Sequence, residues 1–273
     1  MTAVTDDYVL GRDLYGSIRL EAQHLLFRMH NGYALNPKMP ISSNMKIAEI
    51  GTGTGIWLQD IASQLPETIQ LHGYDVSASQ FPPTSLCPPN LTFTTLDAFG
   101  DVPAHLVETY DVVHLRFWCA IIRGNDPSAL IRHASRLLKP GGYLQWEDAD
   151  MGNPVMLGDV AVAFHDLGMS ILKSFNVSLD WIGDIPKLVR DHGLNVVDSA
   201  TGSFHSTLVP LAIRTYLAGW AELFQLVGKT KNVSLPTETE CQSVLIALDT
   251  GVKNGALYYW LPVNLLAQKP STR

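Results

Sequence analysis

One run of residues constrains this chain more than any other. A short apolar stretch, Lys46 to Ile50, meets Gly51-Thr52-Gly53-Thr54-Gly55, and a helical pattern then runs from Ile56 to Gln64 and is closed by Pro66. Three glycines in five residues let the backbone turn sharply and approach a ligand with no Cβ in the way. Strand, glycine turn and helix in that order open a parallel α/β unit, and the carboxyl end of its first strand is where such sheets bind ligands. The downstream pattern agrees. Gln70 to Tyr74, Leu91 to Leu96, Tyr110 to Leu115 and Tyr143 to Trp146 read as further strands. Pro127 to Leu138 reads as a helix, with Lys139-Pro140-Gly141-Gly142 as its stop. Strands alternating with helices imply a doubly wound, mostly parallel sheet.

Asp75 ends the second strand about twenty residues beyond the glycines, where a carboxylate can accept hydrogen bonds from a ribose diol. A dinucleotide site wants GxGxxG, so that a helix N-terminus meets the pyrophosphate. Here the third glycine comes one residue early, and Glu49 precedes the first. A carboxylate at that point repels pyrophosphate but suits a ligand carrying an ammonium and a sulfonium, as S-adenosylmethionine (SAM) does.

The chain has 273 residues, 46% hydrophobic and 16% charged, enough apolar material for a real core. A formal charge of −7 with no basic run argues against a nucleic-acid partner and for a small-molecule substrate. Cys87, Cys119 and Cys241 show no metal-like spacing, so reduced thiols and no metal site are expected. Met1 to Asp7 lacks the apolar core of a leader, and no apolar run approaches the ~20 residues of a membrane span, so a cytoplasmic protein without membrane contact is expected. Asn176-Val177-Ser178 and Asn232-Val233-Ser234 fit the N-glycosylation pattern and are discounted on the same ground.

Outside the core, Asp13 to Met29 reads as an amphipathic helix with Leu14, Ile18, Ala22, Leu25, Leu26 and Met29 as its apolar residues, a face that suits pairing with a second copy in a homodimer. Val160 to Phe175, Trp181 to His192, Ala212 to Val227 and Glu238 to Leu248 read as helices, Asn195 to Ser206 as a strand, and Ala256 to Leu261 as a final strand interrupted by Pro262.

Five segments occur in one order: Glu49 to Gly55, Gly73-Tyr74-Asp75-Val76-Ser77, Leu96-Asp97-Ala98-Phe99, Tyr110 to Arg116, and Leu137 to Tyr143. In this they resemble the class I SAM-dependent methyltransferases over about residues 46–148. Arg19-Leu20-Glu21-Ala22-Gln23-His24 and the linker Ser77 to Pro83 resemble the small-molecule methyltransferases of fungal secondary metabolism. The resemblance implies a Rossmann-like seven-stranded sheet with its last strand antiparallel. It also implies an organisation into an N-terminal helical cap (1–45), a SAM-binding core (46–150) and roofing helices with closing strands (151–273). It implies that Gly51, Thr52, Gly53 and Gly55 pack on the methionine part, with Glu49 near its ammonium. Asp75 takes the ribose, Asp97 and Ala98 read the adenine edge, and Val76 and Phe81 sandwich the ring. Arg116 stands where the family often carries a smaller residue.

Methyl transfer from a sulfonium is an in-line displacement that needs alignment and exclusion of water, with a general base where the nucleophile must lose a proton. The acceptor should lie above the ends of the fourth and fifth strands. That points to Phe117, Trp118 and Asp150, with Gln23 and His24 closing from the N-terminal helix. Asp148, Glu147 and His165 are the candidates for the base. Three other readings stay open: the same cofactor used for a decarboxylation or rearrangement, a regulatory protein of the same fold, and a nicotinamide-dependent oxidoreductase, which the glycine spacing disfavours.

Overall fold

A computed structural model of the chain describes residues 10–229 and 235–271; Met1 to Asp7 and Asn232 to Ser234 lie outside that range. One sheet of seven strands organises it: β1 (Lys46–Ile50), β2 (Gln70–Asp75), β3 (Leu91–Thr95), β4 (Tyr110–Arg116), β5 (Leu138–Leu157), β6 (Asn195–Thr201) and β7 (Leu257–Gln268). Their order is β3-β2-β1-β4-β5-β7-β6. The first five strands are parallel, and β7 runs antiparallel between β5 and β6. The order reverses between β1 and β4, which is the switch point at which the sheet offers a crevice.

Helices α1 (Leu14–Asn31), α2 (Ile56–Ala62), α3 (Ser128–Leu137), α4 (Asp159–Ser174), α5 (Ile185–Asp191), α6 (Val209–Lys229) and α7 (Glu238–Lys253) pack around the sheet. β1 and β4 are almost wholly buried, and their apolar runs supply both core clusters. None of the described helices is long and apolar enough to cross a membrane.

Four expectations need correction. Tyr143 to Trp146 is only part of β5, which starts at Leu138 opposite Tyr110 of β4, passes through Pro140-Gly141-Gly142, and runs on to Leu157 because β7 pairs along it from Tyr143. β7 does not stop at Pro262. Pairing with β6 ends at Val263↔Thr201, so on that side the missing N–H has no neighbour to serve. The segment Trp181 to His192 is helical only from Ile185, where Pro186 sits in the first turn. Finally, α1 is turned the opposite way from its hydrophobic pattern. Leu14, Ile18, Leu25 and Met29 are exposed, whereas Arg19, Gln23 and His24 are buried beside Leu26 and Phe27.

Candidate active site

The glycine turn sets the geometry. Gly51, Gly53 and Gly55 all take positive φ (73°, 54° and 70°), so the chain folds back over the end of β1. The N–H groups of Gly51 and Thr52 both donate to Tyr74 O, which ties the turn to β2. Asp75 Oδ2 accepts from Gly53 N–H at 2.9 Å and Oδ1 from Ser77 N–H at 3.1 Å, leaving each oxygen a further lone pair. Burial raises the Asp75 carboxyl above its usual range, against those two bonds.

Beyond the turn lies a cavity of about 520 Å³ between the carboxyl ends of β1, β2 and β4 and the inner faces of α1 and α6. One end is lined by Gly51, Gly53, Asp75, Val76, Asp97 and Ala98. Asp75 ends β2 and Asp97 follows the neighbouring β3 by two residues, and Asp97 Oδ1 accepts from Phe99 N–H at 2.8 Å. This pair of acceptors fits a nucleoside that donates from a diol and an amino group. Arg19 and Gln23 of α1 and Arg116 of β4 also border the cavity.

The polar face of α1 is held by a chain of buried pairs. Arg19 binds Glu222 of α6 (2.8 Å). His24 Nδ1 accepts from Arg116 Nη1 at 3.0 Å while its Nε2–H donates to Asp60 Oδ2 at 3.1 Å. Burial, then the adjacent Arg116 charge, brings the His24 pKa down from 6.5 to about 4, so the ring is neutral at physiological pH and fixed in one tautomer.

Beneath the turn, Glu49 turns inward. Its Oε2 accepts from Thr52 Oγ1–H (2.6 Å), and its Oε1 meets His114 Nδ1 (3.1 Å). The His114 ring stacks on Trp57 at 3.8 Å, and its Nε2 lies 3.5 Å from Glu147 Oε2 without forming a hydrogen bond. Glu147 also takes Asn31 Nδ2–H and Gln145 Nε2–H on Oε1 and lies 3.7 Å from Arg116. Burial alone would raise its carboxyl, but His114 and Arg116 outweigh it and hold it below the usual range. Neither Glu49 nor Glu147 lines the cavity; they are the ionic foundation under it.

The other end of the cavity is aromatic. Phe117, Trp118, Met151, Tyr216, Trp220 and Trp260 form its walls. Trp118 is the hinge between the two ends: a Cβ on Gly51 would lie 2.9 Å from its indole. Its segment is anchored by Asp148. Oδ2 accepts from Trp118 N–H and Trp146 Nε1–H, each at 3.0 Å; Oδ1 accepts from Cys119 N–H at 3.3 Å and Ala149 N–H at 2.9 Å. Phe117, just before, has a φ of 56°.

Several residues singled out in the sequence therefore stand away from the cavity. Asp148 is fully buried with its lone pairs occupied, so it positions a loop and is not placed to take a proton from a substrate. His165 turns to Tyr258 Oη (3.3 Å), and Asp150 caps Asn153 N–H (3.2 Å). Phe81 packs on Phe93 with ring centroids 5.4 Å apart and, unlike Val76, does not line the cavity. Thr52, Gly55 and His24 support the site from behind. The residues missed lie on α6: Thr215, Tyr216 and Trp220 carry no motif, and only a cluster of aromatic and small residues, Tyr216-Leu217-Ala218-Gly219-Trp220, marks the helix.

Residues 22–199 match the family model described as a methyltransferase domain. The methyltransferase grgD of Penicillium sp is 34% identical over 140 residues, which cover 48% of each chain. The N-methyltransferase tcpN of Claviceps purpurea is 30% identical over 154 residues, 55% of each chain. The match thus spans about half the length of these curated relatives. Among solved structures, phosphoethanolamine N-methyltransferase 2 of Haemonchus contortus superposes with a TM-score of 0.56 at 16% identity, covering 95% of this chain and 59% of that one, a likeness of fold. The matched span runs from the polar face of α1 through the glycine turn and both carboxylates to β6, and the chain belongs to the methyltransferase-domain family of class I SAM-dependent methyltransferases.

Proposed function

We propose that the chain moves a methyl group from SAM to a nitrogen or oxygen of a small, largely apolar acceptor of the natural-product kind. One observation carries this reading: a single cavity joins a carboxylate-lined end at the glycine turn to an end walled mainly by aromatic and aliphatic side chains. The bound cofactor supplies an activated methyl on a positive sulfur. The chain's own work is placement. Asp75 and Asp97 receive the nucleoside, Arg116, steadied by neutral His24, offers a cation to the amino-acid carboxylate, and Trp118 separates the two ends.

Proton removal is left to the acceptor and solvent. Among the described residues lining the aromatic end, Cys119 and Tyr216 are both held protonated by burial, and Asp126 is exposed with its carboxyl lowered by its bonds to Ser128. An acceptor that is nucleophilic without a base, such as a neutral amine or an acidic hydroxyl, fits such a wall. The name of the tcpN relative, an N-methyltransferase, supports nitrogen. Incubation with methyl-labelled SAM and a panel of aromatic amines, lactams and phenols tests the reading. A labelled product heavier by one CH₂ unit supports it. A product of altered mass without label points to a rearrangement instead.

A further inference from the structure

The aromatic end of the cavity contains polar atoms that nothing in the chain satisfies. Tyr216 is fully buried and its hydroxyl has no hydrogen-bond partner. Its neighbour Thr215, 3% exposed, leaves Oγ1 equally unserved. Both residues line the cavity. Buried polar groups in folded proteins are almost always paired, and an orphan at a cavity wall marks a place where something else supplies the partner. The Tyr216 ring cannot swing its hydroxyl to water. It stacks on Trp260 at 4.2 Å and is braced by Phe117 and Phe204, each with its centroid 6.4 Å away.

The polarity of the missing partner follows from the donors. Burial, with Cys119 and Asp148 nearby, keeps the Tyr216 hydroxyl protonated, so it has a hydrogen to give. Trp118 Nε1, also buried without a partner, can only donate. Tyr216 packs against aromatic rings, and its polar neighbours are the Cys119 thiol and the Asp148 carboxylate, whose lone pairs are taken. The cations bordering the cavity are engaged elsewhere: Arg19 with Glu222, Arg123 with the carbonyls of Ala120 and Ile121, Arg116 with His24, and Arg12 beside Asp75 at the glycine-turn end. An anionic ligand finds no cation there, and an ammonium finds no buried carboxylate with a spare lone pair.

We propose that Thr215 and Tyr216 form an acceptor-recognition subsite that takes a neutral, flat molecule through a carbonyl oxygen. That oxygen has lone pairs and no proton of its own, which matches unpaired hydroxyl donors on the cavity side of α6, while the aromatic walls take the ring faces. An ether oxygen is a weaker acceptor than a carbonyl, and a hydroxyl brings a proton of its own that must also be placed. The assignment rests on reading this cavity as the methyl-acceptor site and names the class of molecule that the site takes.

The test uses the full chain saturated with S-adenosylhomocysteine and two flat probes of similar size, 2-quinolone and naphthalene. Binding is followed by quenching of tryptophan fluorescence, since Trp118, Trp220 and Trp260 border the site. The wild-type protein should hold 2-quinolone about fivefold or more tighter than naphthalene. Tyr216→Phe removes only an unpaired hydroxyl, so folding is retained. It should cut that preference to about twofold or less and leave the S-adenosylhomocysteine affinity unchanged. Thr215→Val should reduce the preference in the same direction. Equal binding of the two probes by the wild type, a preference untouched in both variants, or binding of neither probe overturns the subsite. Failure of the wild type to bind S-adenosylhomocysteine is a separate readout and overturns the cofactor reading, on which this assignment rests.

Discussion

Replacing Asp148 with asparagine separates an anchoring role from a catalytic one. The side chain keeps its shape, but one oxygen becomes an NH₂ group facing two N–H donors. Whichever way the amide turns, it confronts one of two pairs: Trp118 N–H with Trp146 Nε1–H, or Cys119 N–H with Ala149 N–H. Two charge-assisted bonds of about 1.5–3 kcal/mol each are lost, offset in part because no charge is buried any longer. The net cost is about 2–4 kcal/mol, which at roughly 2–4 °C per kcal/mol lowers the melting temperature by about 4–16 °C. The loss falls on the Phe117–Cys119 segment, where Phe117 already holds a left-handed φ of 56°. Once released, the segment relaxes, Trp118 leaves Gly51, and affinity for S-adenosylhomocysteine drops about tenfold. Thermal denaturation and calorimetry read both effects. A variant that melts like the wild type and binds normally, yet has lost turnover by orders of magnitude, would refute the anchor and restore Asp148 as a base.

The other predictions concern the walls of the site. His24 has a folded pKa of about 4 against 6.5 unfolded, so the unfolded chain takes up the proton first as the pH falls and stability is lost across that window. At about 1.4 kcal/mol per unit the loss approaches about 3 kcal/mol, and His24→Gln, which still offers Arg116 an acceptor, should flatten it. Urea midpoints at pH 6.5 and 4.5 check this, and parallel profiles for the two proteins would contradict it. Gly55→Ala places a Cβ on a residue with φ of 70° and into the Phe93 ring, so a loss of about 2–3 kcal/mol and impaired cofactor binding are expected in chemical denaturation and calorimetry. Glu147→Gln weakens the charge contact with His114 and Arg116 and should raise the S-adenosylhomocysteine Kd several-fold while leaving the cavity lining intact; an unchanged Kd would show that the buried ionic cluster does not support the turn.

The opening unit was legible because its constraints are local. Three glycines at positive φ, a strand before them and a helix after them leave little freedom, and Asp75 and Asp97 sit at strand ends where sequence alone can place them. Side-chain direction was not legible in the same way. Along β5 successive residues face opposite sides, so Glu147 points to His114 and Asp148 to the Trp118 segment, and neither reaches the cavity. In α1, periodicity counts hydrophobicity, but the buried face is polar because Arg19 and His24 find partners on α6, α2 and β4, far away in sequence. The cavity wall on α6 was invisible for a related reason. Thr215 and Tyr216 look like ordinary helix residues until tertiary packing buries their hydroxyls without partners.

Calorimetric titration of S-adenosylhomocysteine into the wild-type chain and into Asp75→Ala bears most directly on the account. A single site of micromolar affinity or better, weakened at least about thirtyfold when the carboxylate ending β2 is removed, is the expected pair of results. No heat of binding in the wild type, or equal affinity in the two proteins, would mean that the nucleoside does not lie at the end of β2.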